Sequence, residues 1–87
     1  MAYTVTLTRR AADSLAALPK KIREQIAARI DGLQTNPRPP GSKQLDADDG
    51  IHRLRSGDYR VLYRVNDAAQ TVLVVVIGNR KDVYRNR

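Results

Sequence analysis

Apolar side chains recur with period two in some stretches of this chain and with a helical period in others, and the order of those stretches predicts an architecture. Residues 3–7, Tyr-Thr-Val-Thr-Leu, alternate and are rich in β-branched side chains, so a short strand is expected. Thr8 then offers a side-chain oxygen to cap a helix running to about Leu18. Pro19 breaks that helix and suits the first turn of the next, where a missing N–H costs nothing. In the second helix Ile22, Ile26, Ile30 and Leu33 return to one face, so the two helices are expected to form a hairpin. The run Asn36-Pro37-Arg38-Pro39-Pro40-Gly41 ends it, and a loop of about ten residues is expected to reach Gly50.

Three strand-like runs follow, at residues 51–55, 59–65 and 71–77, separated by Ser56-Gly57-Asp58 and Asn66-Asp67-Ala68-Ala69. Connections this short imply an antiparallel meander. The last run is apolar on both faces, Val72, Val74 and Val76 against Leu73, Val75 and Ile77. It is therefore expected to be central, covered by the helices on at least one side, with the first strand beside it. The expected fold is α+β, in the order β-α-α-β-β-β: a helical hairpin packed on a small, mainly antiparallel four-stranded sheet. One domain spans residues 1–87, with no repeat or linker to divide it.

Charge changes this picture from a generic small domain to an anion binder. Residues 1–50 hold 8 Lys/Arg against 6 Asp/Glu, and residues 51–87 hold 8 against 3, so the C-terminal part carries +5 of the net +7. Seven of those eight cations are arginines, whose planar fork matches phosphate better than a point charge does. Strand alternation places Arg53 with Arg55 on one face and Arg60 with Arg64 on one face.

Missing parts exclude several chemistries. With no cysteine and one histidine there is neither a disulfide framework nor a thiolate zinc site, and a reducing cytoplasm is the expected compartment. No Gly-rich phosphate loop precedes a helix. In the acidic run Asp46-Ala47-Asp48-Asp49-Gly50, Gly50 stands where a calcium loop needs its third acidic ligand and Gly57 where it needs its closing glutamate. Ser14, Ser42 and Ser56 have no histidine and carboxylate arranged around them for a hydrolase triad. The longest apolar run, residues 72–77, is too short to span a bilayer, and no basic-then-apolar leader opens the chain. A soluble protein without metal or cofactor is expected.

The Leu18-Pro19-Lys20-Lys21-Ile22 helix junction, the Leu54-Arg55-Ser56-Gly57-Asp58-Tyr59-Arg60-Val61-Leu62-Tyr63 hairpin and the terminal Gly78-Asn79-Arg80-Lys81-Asp82-Val83-Tyr84 together resemble the RelE/ParE superfamily of bacterial toxins, over nearly the whole chain. The terminal segment resembles the RelE branch, whose members cut messenger RNA in the ribosomal A site. That resemblance implies a ribosome-dependent endoribonuclease working without metal by attack of the ribose 2′-hydroxyl. It places Arg60 and Arg80 at phosphate-stabilising positions and Tyr84 at a C-terminal catalytic tyrosine, as base or as orienter. Arg53 falls at a functional lysine, whereas Ile51 and Asn79 replace a lysine and a histidine found in relatives.

Arg53, Arg55, Lys81 and Arg85 complete the expected RNA-phosphate set, the alternative for Arg55 and Arg64 being solvated strand cations. Tyr59 and Tyr63 fall on the face opposite Arg60 and are expected to be core aromatics. The implied partners are a small acidic antitoxin, the ribosome with its message, and operator DNA only through the antitoxin complex. Two other readings stay open: a ParE-like inhibitor of DNA gyrase without RNase activity, and a non-catalytic module that binds antitoxin and DNA.

Overall fold

The computed structural model describes residues 2–46 and 50–79. Strand β1 (Thr4–Leu7) leads into helices α1 (Arg9–Ala16) and α2 (Lys20–Gly32), and strands β2 (Lys43–Asp46), β3 (Ile51–Ser56), β4 (Tyr59–Asn66) and β5 (Thr71–Asn79) follow. They form one sheet in the order β1-β5-β4-β3-β2. β1 runs parallel to β5, and every other pairing is antiparallel.

The helices begin and end where local chemistry dictates. Thr8 caps α1: its Oγ1 accepts the Ala11 N–H at 3.1 Å, while its own N–H donates to the Val74 carbonyl at 2.9 Å, fixing the helix start against β5. Pro19 sits one position outside α2 rather than within its first turn, and its carbonyl accepts the Arg23 N–H at 2.8 Å. At the end of α2 the backbone tightens, with the Leu33, Gln34 and Thr35 N–H groups reaching the Ile30, Asp31 and Gly32 carbonyls at 3.0, 3.1 and 3.2 Å, and Pro37 forbids continuation.

Ile26, Ile30 and Leu33 of α2 and Ala11 of α1 bury against Leu54, Val61, Tyr63, Val72, Val74 and Ile77 of the sheet. Ile22 is partly buried beside them, as are Tyr3, Val5, Leu7 and Tyr59. The helices therefore cover one face only, and the other face belongs to Arg53, Arg55, Arg60 and Arg64. Tyr59 and Tyr63 are core aromatics on the helix side. Tyr63 is fully buried, and its hydroxyl donates to the Pro37 carbonyl at 2.8 Å.

The α+β hairpin-on-sheet architecture and the place of β5 agree with the sequence; two details differ. The sheet has five strands, because Lys43–Asp46, expected within a loop, pairs with β3 through Lys43↔Arg53 and Gln44↔His52. This segment is short, polar and irregular in register between Gln44 and Asp46, so it carries no alternation to read. In β5 the register slips between Tyr63↔Val74 and Leu62↔Val76, leaving Val75 as an extra residue. Ile77 therefore joins Val74 in the core and Val76 moves to the opposite face, which strict alternation had reversed. Among the described residues no helix is long and apolar enough to cross a membrane.

Candidate functional site

In an antiparallel ladder, directly opposed residues project from the same face. On the face away from α1 and α2 the register therefore builds rows across the sheet. One row runs Lys43, Arg53, Leu62, Val76; the next, toward the β3–β4 turn, runs Arg55, Arg60, Gly78. Each row contains two cations placed side by side. Gly78 adds no side chain beside Arg60.

Arg60 is only 8% exposed, unusual for an arginine on the face away from α1 and α2. Its Nη1 donates to the carbonyls of Gly57 and Tyr59, each at 3.0 Å. The β3–β4 connection makes this possible: Gly57, at φ +59°, opens a two-residue turn that brings its carbonyl back over the strand. Both Nη1 hydrogens are thus spent on backbone, and the guanidinium is held in one orientation. Arg53 is half-buried and Arg55 exposed. Leu62, beside Arg53 in the first row, is 1% exposed and packs outside the main core.

His52 lies on the helix side, paired with Tyr63, as alternation expects. Its ring stacks on Tyr63 with centroids 5.5 Å apart, and Nδ1 lies 3.0 Å from the Gly50 carbonyl. It therefore does not replace the lysine missing at Ile51. Ile51 is itself buried, in a row with Arg64 and Leu73.

A second polar group pins the opposite end of β4. Asp67 accepts two hydrogen bonds from Arg38, at 3.2 and 2.8 Å, and a third from the Tyr3 hydroxyl at 2.7 Å. The Arg38 hydrogen bond, then that of Tyr3, hold the Asp67 carboxyl below its ordinary value. The same contact with Asp67 pushes the Tyr3 phenol up. This group ties the first strand, the post-α2 loop and the β4–β5 turn together. An open hollow of about 420 Å³ lies here, lined by Arg64, Asn66, Thr71 and Leu73 among others. None of Arg53, Arg55 and Arg60 borders it, so it is separate from the cation rows.

Of the sequence-predicted site, the structure brings Arg53, Arg55 and Arg60 onto one face in adjoining rows; Arg64 shares the face but stands toward the far end of β4. Arg80, Lys81, Tyr84 and Arg85 lie outside the described residues, as does most of the acidic run, Ala47 to Asp49. Lys43 escaped the sequence reading because its strand did. Among the described residues no cluster of His, Cys, Asp and Glu is arranged to hold a metal ion.

Comparison with known proteins identifies the family. Residues 5–84 match the family described as ParE toxin of type II toxin-antitoxin system, parDE. The chain is 36% identical to Toxin RelE of Mycobacterium tuberculosis, covering 95% of this chain and 87% of that one. It is 31% identical to the mRNA interferase toxin RelE of Escherichia coli, covering 97% and 92%. In three dimensions it superposes on the toxin-antitoxin complex RelBE2 of M. tuberculosis with a TM-score of 0.79 at 32% identity, over 92% of this chain and 100% of that one. The chain accordingly belongs to the RelE/ParE superfamily of type II toxin-antitoxin toxins, in its RelE branch.

Proposed function

We propose that this toxin is a ribosome-dependent mRNA endoribonuclease cutting in the A site by metal-free attack of the ribose 2′-hydroxyl. The observation that carries the reading is the opposed pair Arg55 and Arg60. Like charges facing each other across a ladder cost stability, and a bound polyanion removes that cost. A relative over nearly the full length bears the name mRNA interferase.

In the proposed reaction the 2′-oxygen attacks the adjacent phosphorus, its proton passes to a base, and the 5′-oxygen leaves with a proton. The product is a 2′,3′-cyclic phosphate. Arg60 and Arg80 stabilise the charge gathering on the phosphoryl oxygens. With Nη1 committed to Gly57 and Tyr59, Arg60 presents its Nη2 and Nε donors as the fork for phosphate. Arg53, Arg55, Lys81 and Arg85 hold flanking phosphates, and Tyr84 serves as base or orienter. Free tyrosine titrates near about 10, so neighbouring cations must lower it for base work at neutral pH.

The partners on this reading are an acidic antitoxin that covers the cation rows, the ribosome with its message, and operator DNA through the antitoxin complex, all in the cytoplasm. RelE neighbours of known structure include complexes with RelB, which supports the antitoxin assignment. The test is in vitro translation with primer extension, run beside a gyrase supercoiling assay. Message cut within codons, and cut about 100-fold or more slowly by Arg60→Ala, is the expected result. Intact message with lost supercoiling would instead make the chain a ParE-like gyrase inhibitor; the match to the ParE family model favours keeping that arm.

A further inference from the structure

We propose that Lys43 is an RNA-positioning residue, extending the phosphate-binding face onto the edge strand β2. The inference rests on the endoribonuclease reading for its substrate class, and on the register for its residue. Lys43 stands directly opposite Arg53, exposed, on the face that carries Arg55 and Arg60. Two independent features of the sheet support the assignment.

First, the like-charge pair recurs. Lys43↔Arg53 repeats, one row along, the arrangement of Arg55↔Arg60. A single opposed pair of cations is an isolated cost, but two neighbouring pairs put four cationic residues on one face of the sheet. Arg53 and Arg55 are two residues apart on β3, so the rows are separated by roughly 6.7 Å. That is the scale of successive phosphates on an extended single strand. If Arg60 holds the scissile phosphate, the Lys43–Arg53 row meets a neighbouring one.

Second, the edge is built to end there. Among the described residues β2 pairs on one side only, and the pairing becomes irregular immediately after Gln44. Lys43 is thus the last regular cationic position before the sheet stops, with its flexible stem toward solvent. A point charge on a mobile stem suits a phosphate that must be gripped without a fixed angle, whereas the oriented Arg60 suits the reacting one. Lys43 acts by placing the strand, not by touching the reacting atoms.

The expected signature is a change in substrate affinity with chemistry intact. On programmed ribosomes Lys43→Ala should raise KM about three- to tenfold and leave kcat within about twofold, with Lys43→Arg near wild type. Binding of a short single-stranded RNA oligonucleotide, measured against salt concentration, should lose about 0.7 from its log-log slope in Lys43→Ala. Urea denaturation of each variant separates a folding defect from a contact defect. The binding arm reads Lys43 even if the wild type cuts no message, in which case the endoribonuclease reading fails alone. An unchanged salt slope and KM in folded Lys43→Ala would overturn the Lys43 assignment. So would an unchanged RNA slope with weakened binding of a poly-glutamate peptide, which would give Lys43 to a protein partner.

Discussion

Arg55 and Arg60 face each other directly across the β3–β4 ladder, one exposed and the other turned into the carbonyls of its own hairpin turn. The arrangement separates two jobs. Arg60 is oriented by backbone, and Arg55 raises the local positive potential around it.

Removing the exposed member should therefore stabilise the free protein slightly. Arg55→Ala is expected to gain about 0.5 kcal/mol or less at low ionic strength. The gain should vanish near 1 M salt, where screening acts within about 3 Å. Urea midpoints at two salt concentrations measure it, and a loss of stability at low salt would contradict the repulsion.

The turn should be sensitive at its glycine. Gly57 has φ +59° with open space where a Cβ would go, so Gly57→Ala carries a conformational cost and no clash. About 1 kcal/mol is expected for alanine and less for asparagine, which tolerates this region better. Because the Gly57 carbonyl helps hold Arg60, RNA cleavage should slow more in Gly57→Ala than in Gly57→Asn.

Tyr63 links the core to the proline loop. Tyr63→Phe leaves the Pro37 carbonyl without its donor and should cost about 1–3 kcal/mol. Burial pushes the Tyr63 phenol up, against opposing effects of Ser42 and Arg38. A raised value favours the folded state below the ordinary tyrosine value of about 10, and that stability is lost as pH rises through the folded value. Denaturation followed from about pH 8 to 11 should show a downward slope that Tyr63→Phe lacks.

Acid should act on the Asp67 group in the opposite sense. Its carboxyl is held low by Arg38 and then Tyr3, so its contribution is present above the ordinary carboxylate value of about 3.9. It is lost as pH falls through the depressed one. Both side chains are substantially exposed, 47% for Arg38 and 59% for Asp67, so the effect is screened and modest. Wild type should exceed Asp67→Asn in urea midpoint at neutral pH, and the gap should close toward about pH 2. A gap that persists in acid would remove the ion pair as its source.

The elements that speak in the sequence are those whose pattern is local. Thr8 announces a cap, the Ile22-to-Leu33 face announces a helix, and alternation places Arg53 with Arg55 and Tyr63 with the core. What stayed hidden depends on pairing. Lys43–Asp46 becomes a strand because β3 offers an edge, not because its own residues alternate. The irregularity at Val75, which exchanges Val76 and Ile77 between faces, is invisible in a run where every residue is apolar. The turn carbonyls that orient Arg60 are likewise a property of the closed hairpin.

The parallel seat of β1 against β5 has a consequence for how the protein is made. Thr4 lies beside Thr71 and Leu7 beside Val74, so β1 has no neighbour in the sheet until β5 exists. While the chain is still on the ribosome that makes it, β1 waits, and the helical hairpin has no completed sheet to cover. The cationic pairs lie on β2, β3 and β4, so the charged face can assemble before β5 arrives to seat β1 and complete the apolar face that the helices cover.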